Sequence, residues 1–211
     1  MRNTGYVAGW SDLRREPLWV AYRLDPQTGK HNLKRPARFT PDPRVAHPGD
    51  THDYDATGYD RGHLAPNAAI AQRYGHDAQL ETFFLTNICP QRPELNRKVW
   101  SRLEREEADD LAQRLDGVWV VDGPVFGSDP AKLPGGEAIP EAFYKILLDE
   151  GPDDLRLRAF LIPQDVRGNE NPESFTTTVD AVERATGLDF FPALGDARED
   201  RLEGAAPGPA W

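Results

Sequence analysis

Two rhythms of apolar and polar positions run along the chain, and the changes between them mark its elements. From residue 95 to 115, Val99, Trp100, Leu103, Leu111 and Leu115 fall near one face with charges between them, which predicts a long amphipathic helix. Val118 to Phe126 is a continuous apolar, β-branched run and reads as a buried strand. Leu18 to Leu24, bounded by Pro17 and Asp25-Pro26, reads as another. Phe143 to Leu148 and Leu155 to Ile162 form a strand pair around the acidic turn at Gly151-Pro152, and Thr82 to Ile88 is a short apolar strand. Pro66 opens a short helix through about Arg73, closed by Gly75. A second short helix, Val179 to Thr186, ends on Gly187. Phe39 to Tyr59, with Pro41, Pro43, Pro48, Gly49 and Gly58, is loop. Strands and helices mix without strict alternation, which predicts an α+β fold. Residues 1–203 are expected to form a single domain, and the small, Pro/Gly-rich stretch 204–211 a loose tail.

The 211 residues allow a sizeable core without metal or disulfide staples. One cysteine, Cys89, excludes an internal disulfide and a Cys-rich zinc site. No apolar run reaches the ~18 residues of a membrane span, so no membrane partner is expected. Met1 to Trp10 lacks the basic-then-apolar order of a signal peptide. The net charge of −10 runs against nucleic-acid binding, because phosphate affinity comes from basic contacts. Its distribution is uneven. Lys30, Lys34, Arg35, Arg38 and Arg44 face one acid, Asp42, between residues 30 and 46, while acids gather around Asp149 to Asp154 and from Asp189 to Glu203.

The chemistry concentrates in Asp60-Arg61-Gly62-His63. Arginine presents a planar fork to phosphate, histidine accepts a proton near neutrality, and the glycine lets a substrate backbone come close. Taken alone, the same residues also read as a structural ion pair beside a satisfied histidine. Downstream, Asn96 and Glu104 stand eight residues apart at the start of the long helix, about 12 Å of rise and about 80° of rotation. Both are hard oxygen donors of the kind Mg²⁺ takes, with Asn96 placed for direct contact and Glu104 for contact through water. Asn96 also reads as a simple helix cap.

The order of motifs resembles the DNA/RNA non-specific endonucleases, the ββα-metal (His-Me finger) nucleases with an Asp-Arg-Gly-His signature, related to mitochondrial endonuclease G. The matching residues are Asp60 through Pro66, Asn87, Pro90-Gln91, Leu95-Asn96, Trp100 and Leu103-Glu104, followed by Asp122 through Phe126, Ile139 through Lys145, Leu161-Ile162-Pro163, Val182-Glu183 and Thr186 through Pro192. Trp19 through Tyr22 and Arg38-Phe39 fit upstream, so the likeness covers roughly residues 17 to 194.

That resemblance implies a mixed or antiparallel central sheet flanked by helices. It further implies a hydrolase that cuts DNA and RNA to 5′-phosphate products with Mg²⁺, for which Mn²⁺ or another divalent cation can substitute. His63 is then the general base, Asn96 the direct metal ligand, Glu104 a ligand through water, and Arg61 and Arg38 phosphate contacts, with Asn87 near the site. Two positions depart from the family pattern: Arg97 replaces a glutamine after the metal-binding Asn, and Ala108 replaces a basic residue four positions after Glu104. Arg105 or Arg97 is expected to supply that charge. The resemblance also points to a secreted or periplasmic location, and leaves monomer and homodimer both open. Readings from other classes are a nucleic-acid-binding module that has lost catalysis, a small-substrate phosphodiesterase built around His47, His52 and Asp53, and an interaction domain docking through Trp211.

Overall fold

The structure is a computed structural model describing every residue except 28, 30–32, 152–153 and 207–211. Lys30 of the basic stretch, Pro152 of the acidic turn and most of the expected tail, including Trp211, therefore lie outside the described residues. The strands are β1 (Val7–Ser11), β2 (Glu16–Leu24), β3 (Asp60–His63), β4 (Ile88–Gln91), β5 (Val118–Val125), β6 (Ala142–Glu150), β7 (Leu155–Pro163) and β8 (Thr176–Thr177). The helices are α1 (Asn67–Glu81), α2 (95–114), α3 (Val179–Thr186) and α4 (Asp196–Glu203). Six strands form an antiparallel sheet in the order β1-β2-β5-β6-β7-β8, and β3 pairs with β4 in a separate two-stranded ribbon.

Strand alternation splits the sheet into two buried faces. Val20, Tyr22, Leu24, Val118, Val120, Phe143, Leu147, Phe160 and Ile162 pack with α1 and α2. Tyr144, Ile146, Ala159 and Val125 pack with Val179 and Val182 of α3. Cover on both faces explains why β5 and β6 read as nearly unbroken apolar runs.

Under α2 the core is polar at one point. Lys145 of β6 reaches Asp122 of β5 at 2.6 Å and Glu107 of α2 at 3.0 Å, all three fully or almost fully buried. The Tyr22 hydroxyl donates to Asp122 and Glu107. Breaking a buried group of this kind costs far more than its net contribution, because an unpaired charge remains. The motif residues Asp122 and Lys145 thus serve the layer beneath the helix.

Several elements differ from the sequence expectation. Asp60–His63, to which the sequence pattern assigns no element, is a strand: its four residues are too few to show a period, and pairing with Ile88–Gln91 makes it extended. Thr82 to Asn87 is not a strand. The Thr82 amide bonds back to Ala78 and Gln79, and Leu85–Asn87 is a 3-10 turn. Gly75, at φ 86°, breaks α1, yet a further helical segment continues to Glu81. β1 and the acidic helix α4 carry no amphipathic signal and were not expected.

Candidate active site

The strand β3 delivers the Asp-Arg-Gly-His segment to one wall of a cavity of about 440 Å³ between α1 and α2. Gly62 is required there, but by the protein itself. A Cβ on it would stand 2.1 Å from Oε1 of buried Gln91 across the ribbon, so the glycine makes room for Gln91, not for a substrate backbone. The turn from β4 into α2 is braced from the main sheet. Gln164 accepts the Arg92 amide at 2.8 Å and donates to the Pro90 and Pro140 carbonyls.

His63 lies at the end of β3 and is 9% exposed. Phe39 and Phe83 flank its ring at 5.3 and 5.0 Å between centroids. Its Nε2 is buried and has no hydrogen-bond partner among the described residues. Burial, with the nearby Arg35 charge adding to it, pushes the imidazole down to about 3. The ring is therefore neutral at physiological pH.

Asn96 is the second residue of α2, not its cap, and its amide N–H bonds the Arg92 carbonyl. Its Nδ2 donates to Asp60 Oδ2 at 2.9 Å. With the amide nitrogen spent on Asp60, the side-chain oxygen is left as the free acceptor. Glu104 lies on the same wall, and its carboxylate has no hydrogen bond or ion pair among the described residues. Burial pushes it up to about 8, with Lys145 opposing the rise and Glu107 and Asp122 adding to it. α2 has π-helical turns at Leu95–Trp100 and Glu106–Leu111. A π turn holds more residues than an α turn, so each residue rotates the chain less. The 80° offset expected between Asn96 and Glu104 shrinks accordingly, and both side chains line one cavity.

The arginines divide by what they already bind. Arg61 lines the cavity; its Nη2 bonds the Thr51 carbonyl and Asp55, its Nε has no partner among the described residues, and the guanidinium lies over Tyr54. Arg97 also lines it, with its fork closed on Asp60 at 2.7 and 2.5 Å. Arg73 is spent on the carbonyls of Asp25, Ala69 and Ala108. Arg35 stands over the Phe83 ring at 4.9 Å and makes no hydrogen bond among the described residues. Arg105 uses only its Nε, on the Ser101 carbonyl. These two cavity arginines carry unspent donors.

Two expected site residues fall elsewhere. Arg38 is exposed and not on the cavity wall. Three positions earlier, Arg35 lines the cavity instead. Asn87 is fully buried behind the site. Its side chain accepts from the Ala65 amide and donates to the Ala65 and Thr82 carbonyls, which fixes the chain just after His63. The alternative cluster does not assemble on the cavity: His52 pairs with Asp55, and Asp53 accepts the amide of Asp50, the cap of the turn at Thr51–Tyr54. No described helix is long and apolar enough to cross a membrane.

The family model for DNA/RNA non-specific endonucleases matches residues 1–197. The mitochondrial nuclease EXOG of Danio rerio is 36% identical, across 90% of this chain and 60% of that protein. Human mitochondrial endonuclease G is 32% identical, across 90% of this chain and 68% of that protein. A nuclease of Serratia marcescens is 35% identical, across 90% and 73%. The chain thus spans about 60% of the EXOG relative's length. Among solved structures, EndoG in its complex with EndoGI superposes with a TM-score of 0.80 at 27% identity, covering 90% of this chain and 84% of that one. A β3-β4-α2 unit carrying Asp60 through His63 and Asn96, inside a match that spans nearly the whole sequence, means that this chain belongs to the DNA/RNA non-specific endonuclease family.

Proposed function

We propose that the chain is a divalent-metal-dependent endonuclease that hydrolyses DNA and RNA phosphodiester bonds, without sequence preference, to 5′-phosphate products. One observation carries this reading: His63 of the ribbon and Asn96 and Glu104 of α2 line a single cavity together with arginines. The donor set suits a hard cation. It offers the neutral oxygen of Asn96, oriented by Asp60, and the unpartnered carboxylate of Glu104, and the cavity has room for the waters that Mg²⁺ retains. When bound, Mg²⁺ supplies Lewis-acid neutralisation of charge at the phosphate and the leaving oxygen.

His63 takes the proton of the attacking water. Arg35 and Arg105 hold phosphate oxygens with their unspent donors. Asp60 orients Asn96 and holds Arg97 back. Arg61 adds positive potential from the wall while fixed to Asp55. Contacts to phosphate rather than to base edges make cutting tolerant of sequence.

Plasmid DNA, RNA and a small nitrophenyl phosphodiester, each incubated with Mg²⁺ and with EDTA, test the reading. Both polymers should be cut internally with Mg²⁺ only. Turnover of the small ester alone would assign a different substrate class.

A further inference from the structure

On the face of the sheet turned away from the cavity, α4 packs against α3 through acids. Asp180 and Glu183 of α3 and Glu203 at the end of α4 each place one oxygen within 4.8 Å of the other two. Glu203 is 4% exposed, and its Oε1 is closed to solvent without a hydrogen-bond partner among the described residues. One arginine borders the cluster on its exposed side, and two others are spent on Asp154. Arg198 and Arg201, on the same helix, each reach Asp154 at 2.6 Å. Arg184 stands 3.9 Å from Asp180 and is 71% exposed. One oxygen of Glu183 accepts the Phe190 amide at 2.8 Å, which fixes that side chain and leaves its other oxygen available. Asp189 and Glu199 add negative charge around Glu203. Burying a carboxylate among others is unfavourable unless a cation offsets it.

We propose that Asp180, Glu183 and Glu203 form a structural calcium site that fastens α4 to α3. The ligands are all carboxylate oxygens, the type Ca²⁺ takes. Three carboxylates also exceed the one or two through which Mg²⁺ is usually held, which favours the larger ion. Asp180 and Glu183 are only half-buried, so water can complete the coordination. The site is independent of the cavity between α1 and α2.

Calorimetric titration of CaCl₂ into the full chain carrying Asn96→Ala, in Mg²⁺-free buffer, tests this without interference from the cavity. One calcium should bind and raise Tm by about 5 °C at saturation. Asp180→Asn and Glu203→Gln should each weaken binding at least tenfold, and Glu183→Gln serves as a third variant should either fail to fold. Absence of calcium binding by the Asn96→Ala protein would overturn the site, as would unchanged titration in the carboxylate variants. A Glu203→Gln protein stabilised in EDTA and indifferent to calcium would assign a shared proton in place of the ion. Equal affinity for Mg²⁺ would overturn the choice of cation.

Discussion

Asn87→Ala should cost fold stability through a specific set of backbone groups. The side chain makes three hydrogen bonds, at 2.9, 3.0 and 2.9 Å, to the amide and carbonyl of Ala65 and the carbonyl of Thr82. All three residues are buried, with 0% exposure. Truncation leaves one donor and two acceptors unpaired, and each such group costs roughly 1–3 kcal/mol. The loss should total about 3–5 kcal/mol, a large share of the ~5–15 kcal/mol that holds a typical domain together. With a urea slope of about 2 kcal/mol/M, the unfolding midpoint should fall by about 2 M. Activity at low denaturant should fall with it, because the clamp holds the residues following His63. A variant with an unchanged midpoint and abolished cleavage would refute this, and would return Asn87 to the chemistry.

Asp60→Asn should release both Asn96 and Arg97, weakening the apparent Mg²⁺ affinity about 10–100-fold while cleavage recovers at high Mg²⁺; an unchanged Mg²⁺ titration would contradict the orienting role. Arg35→Ala and Arg105→Ala should each raise KM for DNA severalfold, and Arg38→Ala should not; the reverse order would show that the loop is misread. Stability in EDTA should depend on pH through His63. Its folded-state value of about 3 lies below the ordinary 6.5, so as pH falls below 6.5 the unfolded chain gains a proton that the folded one refuses. Stability should drop by up to ~1.4 kcal/mol per pH unit, and His63→Asn should remove that slope in urea titrations. Glu104 acts in the opposite sense. Its value is raised from 4.5 to about 8, so its contribution is present below pH 4.5 and is lost as pH rises through 8, and Glu104→Gln should flatten the alkaline limb.

The main sheet was legible because its strands are covered on both faces and show as apolar runs: Val118–Val125 was expected at 118–126, and Leu155–Pro163 at 155–162. α2 was legible from its stripe of Val99, Trp100 and Leu103. Its π turns were not, because the backbone pattern that brings Asn96 and Glu104 round to one cavity leaves no mark in residue spacing. The ribbon β3-β4 escaped notice because its stability comes from pairing across 25 residues and more, not from local propensity. Within the site, residue types left His63 and Asn96 open to a structural ion pair and a helix cap, and the ordered resemblance to the family singled out these two and Glu104. The commitments of charged groups were not legible: Arg97 is held by Asp60 and Arg61 by Asp55, and those partners follow from tertiary packing. Asn87 shows the same limit, since a buried backbone clamp and a catalytic amide have the same letter.

His63→Ala, measured in single turnover on plasmid DNA with saturating Mg²⁺, bears most directly on the central claim that this imidazole takes the proton from water. The folded variant should lose at least ~10²–10⁴-fold in the cleavage step, with Mg²⁺ dependence and DNA affinity near those of the parent. Cleavage at the parent rate by that folded protein would contradict it.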